Sequence, residues 1–378
     1  MICLIMSDKC KICAEEKHHK IDFNNFFLRT DSAHKSLHDY KMRICDNCGV
    51  VYQYPPIPLE KVIKHYKSSY RKTNSQIELG KDHKIDLPMQ FEQTRISFQR
   101  FYHFFKIVEK IKETEKELVF DNNTTILDYG AYQGAFLYAC QKVWNVKTIG
   151  NDYNEDGLKF AKNYLNINTT YKSEDIYNDI FEEKIDVCTA IHVLEHLHDP
   201  VKFLKHIKSN ILKNKGYIYI EVPCAESSTY DDPTHLFMYT IESLEHLFNL
   251  CGLKILHISN KKIYDFSKIN LLKRHVQTMV HCFAKADGDE NYDRKVYQGA
   301  FILNRLEKLQ KKNSNQIYFI RLKSFIKEGM TLIYYGFLIM LNFFSSKLSV
   351  KVNKEMKSFL RKIFNKIFKK NKFLNEKK

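Results

Sequence analysis

Thr125-Ile-Leu-Asp128-Tyr-Gly130-Ala-Tyr-Gln-Gly134-Ala-Phe136-Leu137 is the stretch on which the fold turns. Thr125 to Tyr129 is a short apolar run that reads as a strand, and Gly134 to Val143 carries the apolar spacing of a helix. A glycine turn that leaves a strand and opens a helix is the context in which glycines mark a ligand site, because the backbone there can approach a bound nucleoside. The string does not match G-x-G-x-x-G, which points away from a dinucleotide. An ordinary strand-to-helix turn is the plain alternative. The next apolar run, Val146 to Gly150, leads into Asn151-Asp152, 24 residues after Asp128. An acid at the end of the second strand of a doubly wound sheet accepts ribose hydroxyls. Standing alone, Asp152 would read as a helix cap or a solvated loop acid.

Outward from this unit, short apolar runs alternate with helical patterns from about 90 to 287, as a parallel α/β sheet requires. A helix is expected from about Glu155 to Leu165, a strand over Ile185 to Ala190 and a helix over Val201 to Leu212. A β-rich run is expected from Gly216 to Val222, and a helix from Thr240 to Leu250 stopped at Gly252. Lys254 to Ile258 and Thr278 to Ala284 fit a final antiparallel pair. The fold class is therefore α/β, a doubly wound Rossmann-like sheet. The expected organisation is a cysteine-bearing module over 1–60, a helical connector over 61–89, the α/β domain over 90–287 and a helical, basic extension over 288–378.

Cys10-Lys-Ile-Cys13 and Cys45-Asp-Asn-Cys48-Gly49 are two knuckles separated by 31 residues. Each presents two thiolates, and together they offer the four soft ligands of a tetrahedral zinc. Four thiolates leave no open position, so the role expected of this zinc ribbon is structural. A disulfide pair or incidental cysteines are the alternatives. The chain begins Met1-Ile-Cys-Leu-Ile-Met6, too short for a signal-peptide core and lacking a basic start. With ten cysteines and no such signal, the expectation is a reducing, cytoplasmic setting.

Lys and Arg number 60 against 44 Asp and Glu, a formal charge of +16. Such an excess favours polyanionic partners such as nucleic acid, phosphorylated substrate or anionic lipid. Residues 351–378 alone hold eleven Lys/Arg against two Glu. There Met356, Leu360, Ile363, Phe364 and Ile367 recur at helical spacing, a basic amphipathic pattern suited to the surface of an anionic membrane. Residues 329–346 are uncharged but only 18 long, the lower limit for a bilayer span. Packing of this run on the α/β domain, and RNA binding by the lysines, stay open. The aromatics on the apolar side favour lipid or protein over base stacking.

Four motifs in order resemble the class I S-adenosylmethionine methyltransferases, in the branch with an N-terminal zinc-binding module that includes deoxysugar C-methyltransferases. They are the second knuckle with its sequel to Pro56, the loop from Asp128 to Leu137, Ile191-His192-Val-Leu-Glu195-His196-Leu-His-Asp-Pro200, and Glu221-Val-Pro223 with His235-Leu-Phe237. The resemblance implies S-adenosylmethionine and a structural Zn2+ as cofactors. It implies that Asp128, Gly130, Gly134 and Phe136 form the donor loop, the two glycines lining the methionine end of the donor. By the same resemblance Asp152 holds the ribose, Asp175 and Ile176 meet the adenine, and His192 lies beside the donor.

Methyl transfer is an in-line displacement that aligns nucleophile, methyl and sulfur and removes a proton from the nucleophile. Candidate bases after the fourth and fifth strands are Glu195, His196 and His235, with Tyr230, Asp231 and Asp232 nearby; histidine titrates closest to neutral pH. His196 also reads as a residue that caps or braces its turn. Members of the resembled branch carry Tyr/His-Glu-His where this chain has Asp231-Asp-Pro-Thr-His235, which retains only the final histidine. That departure moves the expectation from C-methylation to a hydroxyl of a sugar, as nucleotide sugar or surface glycan, with a histidine general base. An RNA methyltransferase gripping its substrate through ribbon and tail is the second reading, and a non-catalytic assembly protein the third.

Overall fold

Alternation of apolar and polar side chains builds a small N-terminal sheet from β1 (His18–Ile21), β2 (Lys41–Cys45) and β3 (Val51–Tyr54), all antiparallel. Ile44, Val51 and Met42 turn inward from it and are buried. The structure, a computed structural model, describes residues 9–21, 41–68, 87–226, 234–264, 276–290 and 299–311. These all fall within one compact unit, Met1–Asn313. Helix α1 (Leu59–Ser68) follows β3, and α2 (Leu87–Ile111) leads into the main domain. In α2, Phe98, Phe101, Phe104, Val108 and Ile111 recur at three- and four-residue spacing and form one buried stripe.

The main sheet contains β4 (Thr125–Tyr129), β5 (Lys147–Asp152), β6 (Thr169–Lys172), β7 (Ile185–Ile191), β8 (Leu212–Pro223), β10 (Lys254–Tyr264) and β11 (Val276–Lys285). Their order across the sheet is β10-β11-β8-β7-β4-β5-β6. The strands from β8 to β6 run parallel, while β11 is antiparallel to β8 and to β10. The chain moves outward from β4 through β5 to β6, then returns to lay β7 on the other side of β4. The carboxyl ends of β4 and β7 therefore flank a topological switch point, where ligands bind in sheets of this type.

Helices α3 (Ala135–Trp144), α4 (Glu155–Leu165), α5 (Pro200–His206) and α6 (Ile241–Leu250) connect or flank these strands. Three of them start on a side-chain cap. Asn154 accepts a hydrogen bond from the Gly157 N–H at the head of α4, Asp199 does the same for Lys202 on α5, and Thr240 with Ser243 closes a capping box on α6. Phe104 of α2 packs against Phe136 of α3, Tyr219 of β8 and Phe283 of β11, with ring centroids 4.7–6.1 Å apart, so helix and sheet share one aromatic core.

The helix expected over Val201 to Leu212 stops earlier. It closes with a π-turn over Ile207–Ile211, and β8 begins at Leu212, which pairs with Ile185 before a bulge resets the register to Val187 and Tyr217. Edge pairing with β7 takes a residue that its apolar spacing would have placed on the helix.

The short strand β9 (Phe237–Met238), which follows β8 in the chain, pairs with β3 and completes the N-terminal sheet as β1-β2-β3-β9. Helix α7 (Gly299–Lys311) sets Ile302 and Leu306 against Met42, Ile44, Val51 and Met238. Its Arg305 grips Glu242 of α6 through two hydrogen bonds of 2.6 and 2.8 Å. The apolar run 329–346 and the basic segment 351–378 lie outside the described residues, as do Asp231 and Asp232. Among the described residues no helix is long and apolar enough to cross a membrane.

Candidate functional site

Gly130 follows β4 with φ +75°, and a Cβ there would come within 2.7 Å of Val193 Cγ2, just beyond β7. This glycine is the close approach at the switch point. Gly134, φ +73°, heads α3, and a Cβ on it would strike Ala161 and Ile167, so it answers to packing against α4. Gly130→Ala is expected to destabilise the fold by about 2–4 kcal/mol, from left-handed strain plus the Val193 overlap. Adding Val193→Ala should return it to about 1–2 kcal/mol, the strain alone. Urea unfolding checks both, and an unaltered midpoint in Gly130→Ala would contradict the account.

Asp152 ends β5 beside this turn. Its carboxylate accepts hydrogen bonds from the N–H of Tyr132 at 2.8 Å and of Asn154 at 2.7 Å, strapping the glycine loop to the start of α4. Since Asn154 caps α4, the cap reading for Asp152 gives way to that strap. A carboxylate oxygen can accept more than one hydrogen bond. Asp128 is buried and accepts from Thr189 Oγ1 at 2.6 Å. Burial, against that hydrogen bond, pushes its carboxyl up to about 7. Phe136 lies in the aromatic core facing α2. Beyond β6, Asp175 is exposed and accepts from the Tyr177 N–H and the Asn178 amide, while Ile176 is buried.

After β7 the chain enters His192 at φ +56° and a single 3-10 turn, Leu194–His196. Glu195 is completely buried there. His192 Nδ1 lies 3.1 Å from Glu195 Oε1, and its Nε2 lies 3.5 Å from Oε1 of Glu221, a second buried carboxylate, on β8. Arg100 of α2 reaches Glu221 at 3.2 Å, and His281 of β11 approaches it at 3.4 Å while sharing a hydrogen bond with the Tyr219 hydroxyl. Burial alone would raise Glu221, but His192, His281 and Arg100 together hold it at about 2. Burial would likewise raise Glu195, yet His196, His192 and His235 hold it at about 2. Burial and Arg100 oppose the charged form of His192, and the two glutamates outweigh them, so its pKa stands above the usual imidazole value. Burial depresses His281 to about 4, leaving it a neutral partner at pH 7.

The 3-10 turn is pinned to the segment before β9. The Leu236 N–H donates to the Glu195 carbonyl at 2.7 Å, and His196 Nδ1–H donates to the Thr234 carbonyl at 2.9 Å. The rings of His196 and His235 lie 4.8 Å apart. Glu195, His196 and His235 thus converge, with His192 beside them. Arg100, Glu221 and His281 were not singled out as site residues. The available signal was a glutamate in the apolar run Tyr217-Ile-Tyr-Ile-Glu221-Val, since a charge in a buried strand requires counter-charges.

In the N-terminal module, Cys10 Sγ lies 3.7 Å from Cys48 Sγ, and Cys13 Sγ lies 3.4 Å from Cys45 Sγ. Zinc–sulfur bonds of about 2.3 Å place tetrahedral sulfurs about 3.8 Å apart, so the four thiols fit that ion. All four are free cysteines, which removes the disulfide alternative for this structure.

Residues 98–258 match the family model described as a methyltransferase domain. Residues 98–258 thus carry the pattern of a methyltransferase domain. Over that range the match bears out the resemblance to methyltransferases, and the sheet order bears out the doubly wound α/β fold. Ubiquinone biosynthesis O-methyltransferase of Coxiella burnetii is 28% identical over 131 residues, 33% of this chain and 51% of that protein. The chain thus spans about half the length of this curated relative. Among solved structures, a SAM-dependent methyltransferase from Aquifex aeolicus has 17% identity, covering 47% of this chain and 89% of its own, with TM-score 0.33. A chain from the complex of the Haloferax volcanii Trm112 methyltransferase activator with a methyltransferase has 15% identity, coverage of 55% and 98%, and TM-score 0.40.

Proposed function

We propose that this chain is an S-adenosylmethionine-dependent methyltransferase that methylates a sugar hydroxyl, on a nucleotide sugar or a surface-glycan precursor. One observation carries the reading: the Gly130 turn, Asp152 and the Glu195–His196–His235 cluster lie around one switch point of a methyltransferase domain. Asp152 takes the ribose hydroxyls and the bare turn at Gly130 admits the methionine end of the donor. Asp175 and Ile176 flank the adenine. The acceptor oxygen attacks the methyl carbon in line, a C–O bond forms as the C–S bond breaks, and S-adenosylhomocysteine leaves with the electron pair on sulfur. The acceptor's proton passes to the cluster, where His196 and His235 are the expected bases. With its proton on Nδ1, His196 presents Nε2 as an acceptor.

A neutral polyhydroxy acceptor suits this wall better than RNA does. Among the described residues the Glu195 and Glu221 carboxylates there are matched by His192 and Arg100, which sit against them. A phosphate backbone would gain little from cations already engaged in this way. Zinc in the four-cysteine module supports the fold and takes no part in transfer.

Asp152→Asn should weaken binding of S-adenosylhomocysteine about 10- to 100-fold, the worth of one or two hydrogen bonds to a charged group. Calorimetry on both proteins checks it. Equal affinity would remove Asp152 from the site, and no binding by the wild type at millimolar ligand would remove the donor. Supplying methyl-labelled donor with host lysate then reads the acceptor. Label in nucleotide sugar or glycolipid supports the sugar, and label confined to RNA overturns it.

A further inference from the structure

We propose that Glu195, His196 and His235 form a binding site for one divalent first-row metal ion, distinct from the four-cysteine site and built of nitrogen and oxygen donors. One ligand atom from each residue lies within 4.8 Å of the others. Glu195 is completely buried. His192 Nδ1 stands 3.1 Å from Oε1, but Oε2 meets no donor in bonding geometry among the described residues, and a buried carboxylate oxygen in that state can take a cation. His196 donates its Nδ1–H to the Thr234 carbonyl, which fixes the tautomer and turns the Nε2 lone pair toward Glu195 Oε1, 3.8 Å away. A metal-ligating histidine is oriented in this way, by a backbone carbonyl on its other ring nitrogen.

The frame is held from outside the ligand set as well. The Glu195 carbonyl accepts from the Leu236 N–H at 2.7 Å, so the turn carrying Glu195 and His196 is tied to the residue next to His235. Bonds of about 2.1 Å span ligand atoms about 3–4 Å apart on one ion, so small side-chain rotations close this set. Two imidazoles and one carboxylate suit Zn2+, Mn2+ or Fe2+ and leave coordination positions open. At this place in the fold the open positions would take acceptor oxygens. The cation would then lower the pKa of the acceptor hydroxyl, and His196 and His235 would serve as ligands rather than as bases. That consequence rests on the methyltransferase reading; the binding of the ion does not.

The test uses the full chain and Mn2+, a hard ion that competes poorly for thiolates. Free Mn2+ is followed by electron paramagnetic resonance during titration, and zinc content and S-adenosylhomocysteine affinity are measured on the same samples. The wild type should take up about one Mn2+ per chain, and His235→Ala and Glu195→Gln should each weaken it about tenfold or more. His235→Ala, at a half-buried position, should keep its zinc content and its donor affinity. Failure of the wild type to hold Mn2+ at millimolar concentration, or equal binding by both variants, overturns the site. Loss of donor binding with Mn2+ retained would overturn the methyltransferase reading and leave the metal site standing.

Discussion

Replacing Cys48 by Ser should strip the N-terminal module of zinc and loosen the β1-β2-β3 sheet, while the seven-stranded sheet stays folded. Cys48 is fully buried, with its sulfur against Cys10, and a serine hydroxyl is a poor substitute for a thiolate on zinc. Structural zinc contributes on the order of 10–16 kcal/mol in isolated finger peptides. The module here is also held by β9 and α7, so part of its order survives that loss. Metal analysis should fall from about one zinc per chain to nearly none. Limited proteolysis should open new cuts within 9–64, and a strong chelator should reproduce both effects in the wild type. A Cys48→Ser protein that keeps its zinc, or a wild type that never held any, would remove the ribbon.

The second large effect is expected at Glu221. Its buried carboxylate faces Arg100 and His192, so Glu221→Gln leaves a partly buried guanidinium and an imidazole without their counter-charge. Breaking a buried pair from one side costs about 3–5 kcal/mol. The pH dependence carries the same information. A carboxyl held at about 2, against an ordinary 4.5, binds fewer protons folded than unfolded between those values. Its stabilisation is therefore complete above about pH 4.5 and is lost as pH falls through about 2. That shift corresponds to about 3 kcal/mol. Urea unfolding at pH 7 and pH 3 separates the proteins: the deficit of Glu221→Gln should be largest at pH 7 and shrink at pH 3. A deficit below about 1 kcal/mol at pH 7 would show that Arg100 finds another partner or water.

Much of the sheet was legible because its strands are short apolar runs bounded by glycine or a helix cap. The glycine turn and Asp152 were readable from spacing, since the first strand, helix and second strand follow each other without insertion. The convergence of Glu195 with His235 was legible only as a shared sheet edge. What brings them to one point is the bond from the Leu236 N–H to the Glu195 carbonyl, a contact with no local signature. The buried charge cluster was the least legible part. Arg100 comes from a helix before β4 and His281 from the final strand, so no window along the chain holds both. The end of α5 is not legible because Leu212 satisfies helix spacing and strand pairing equally, and the neighbouring strand decides. Nor did any pattern announce that β9, two residues long, would join the N-terminal sheet.

That last pairing changes how the N-terminal module can be treated. Val51 and Tyr52 lie in register with Met238 and Phe237, two residues past His235, and His198 Nε2–H reaches back to the Ile57 carbonyl at 2.6 Å. A module joined in this way cannot be shuffled between enzymes like a bead on a string. Grafting a foreign ribbon would redraw the segment that carries His235, so the ribbon and the cluster beside it should be inherited together. In protein engineering, the seam for a chimera belongs beyond both ends of this shared sheet, not at the prolines of residues 55–58.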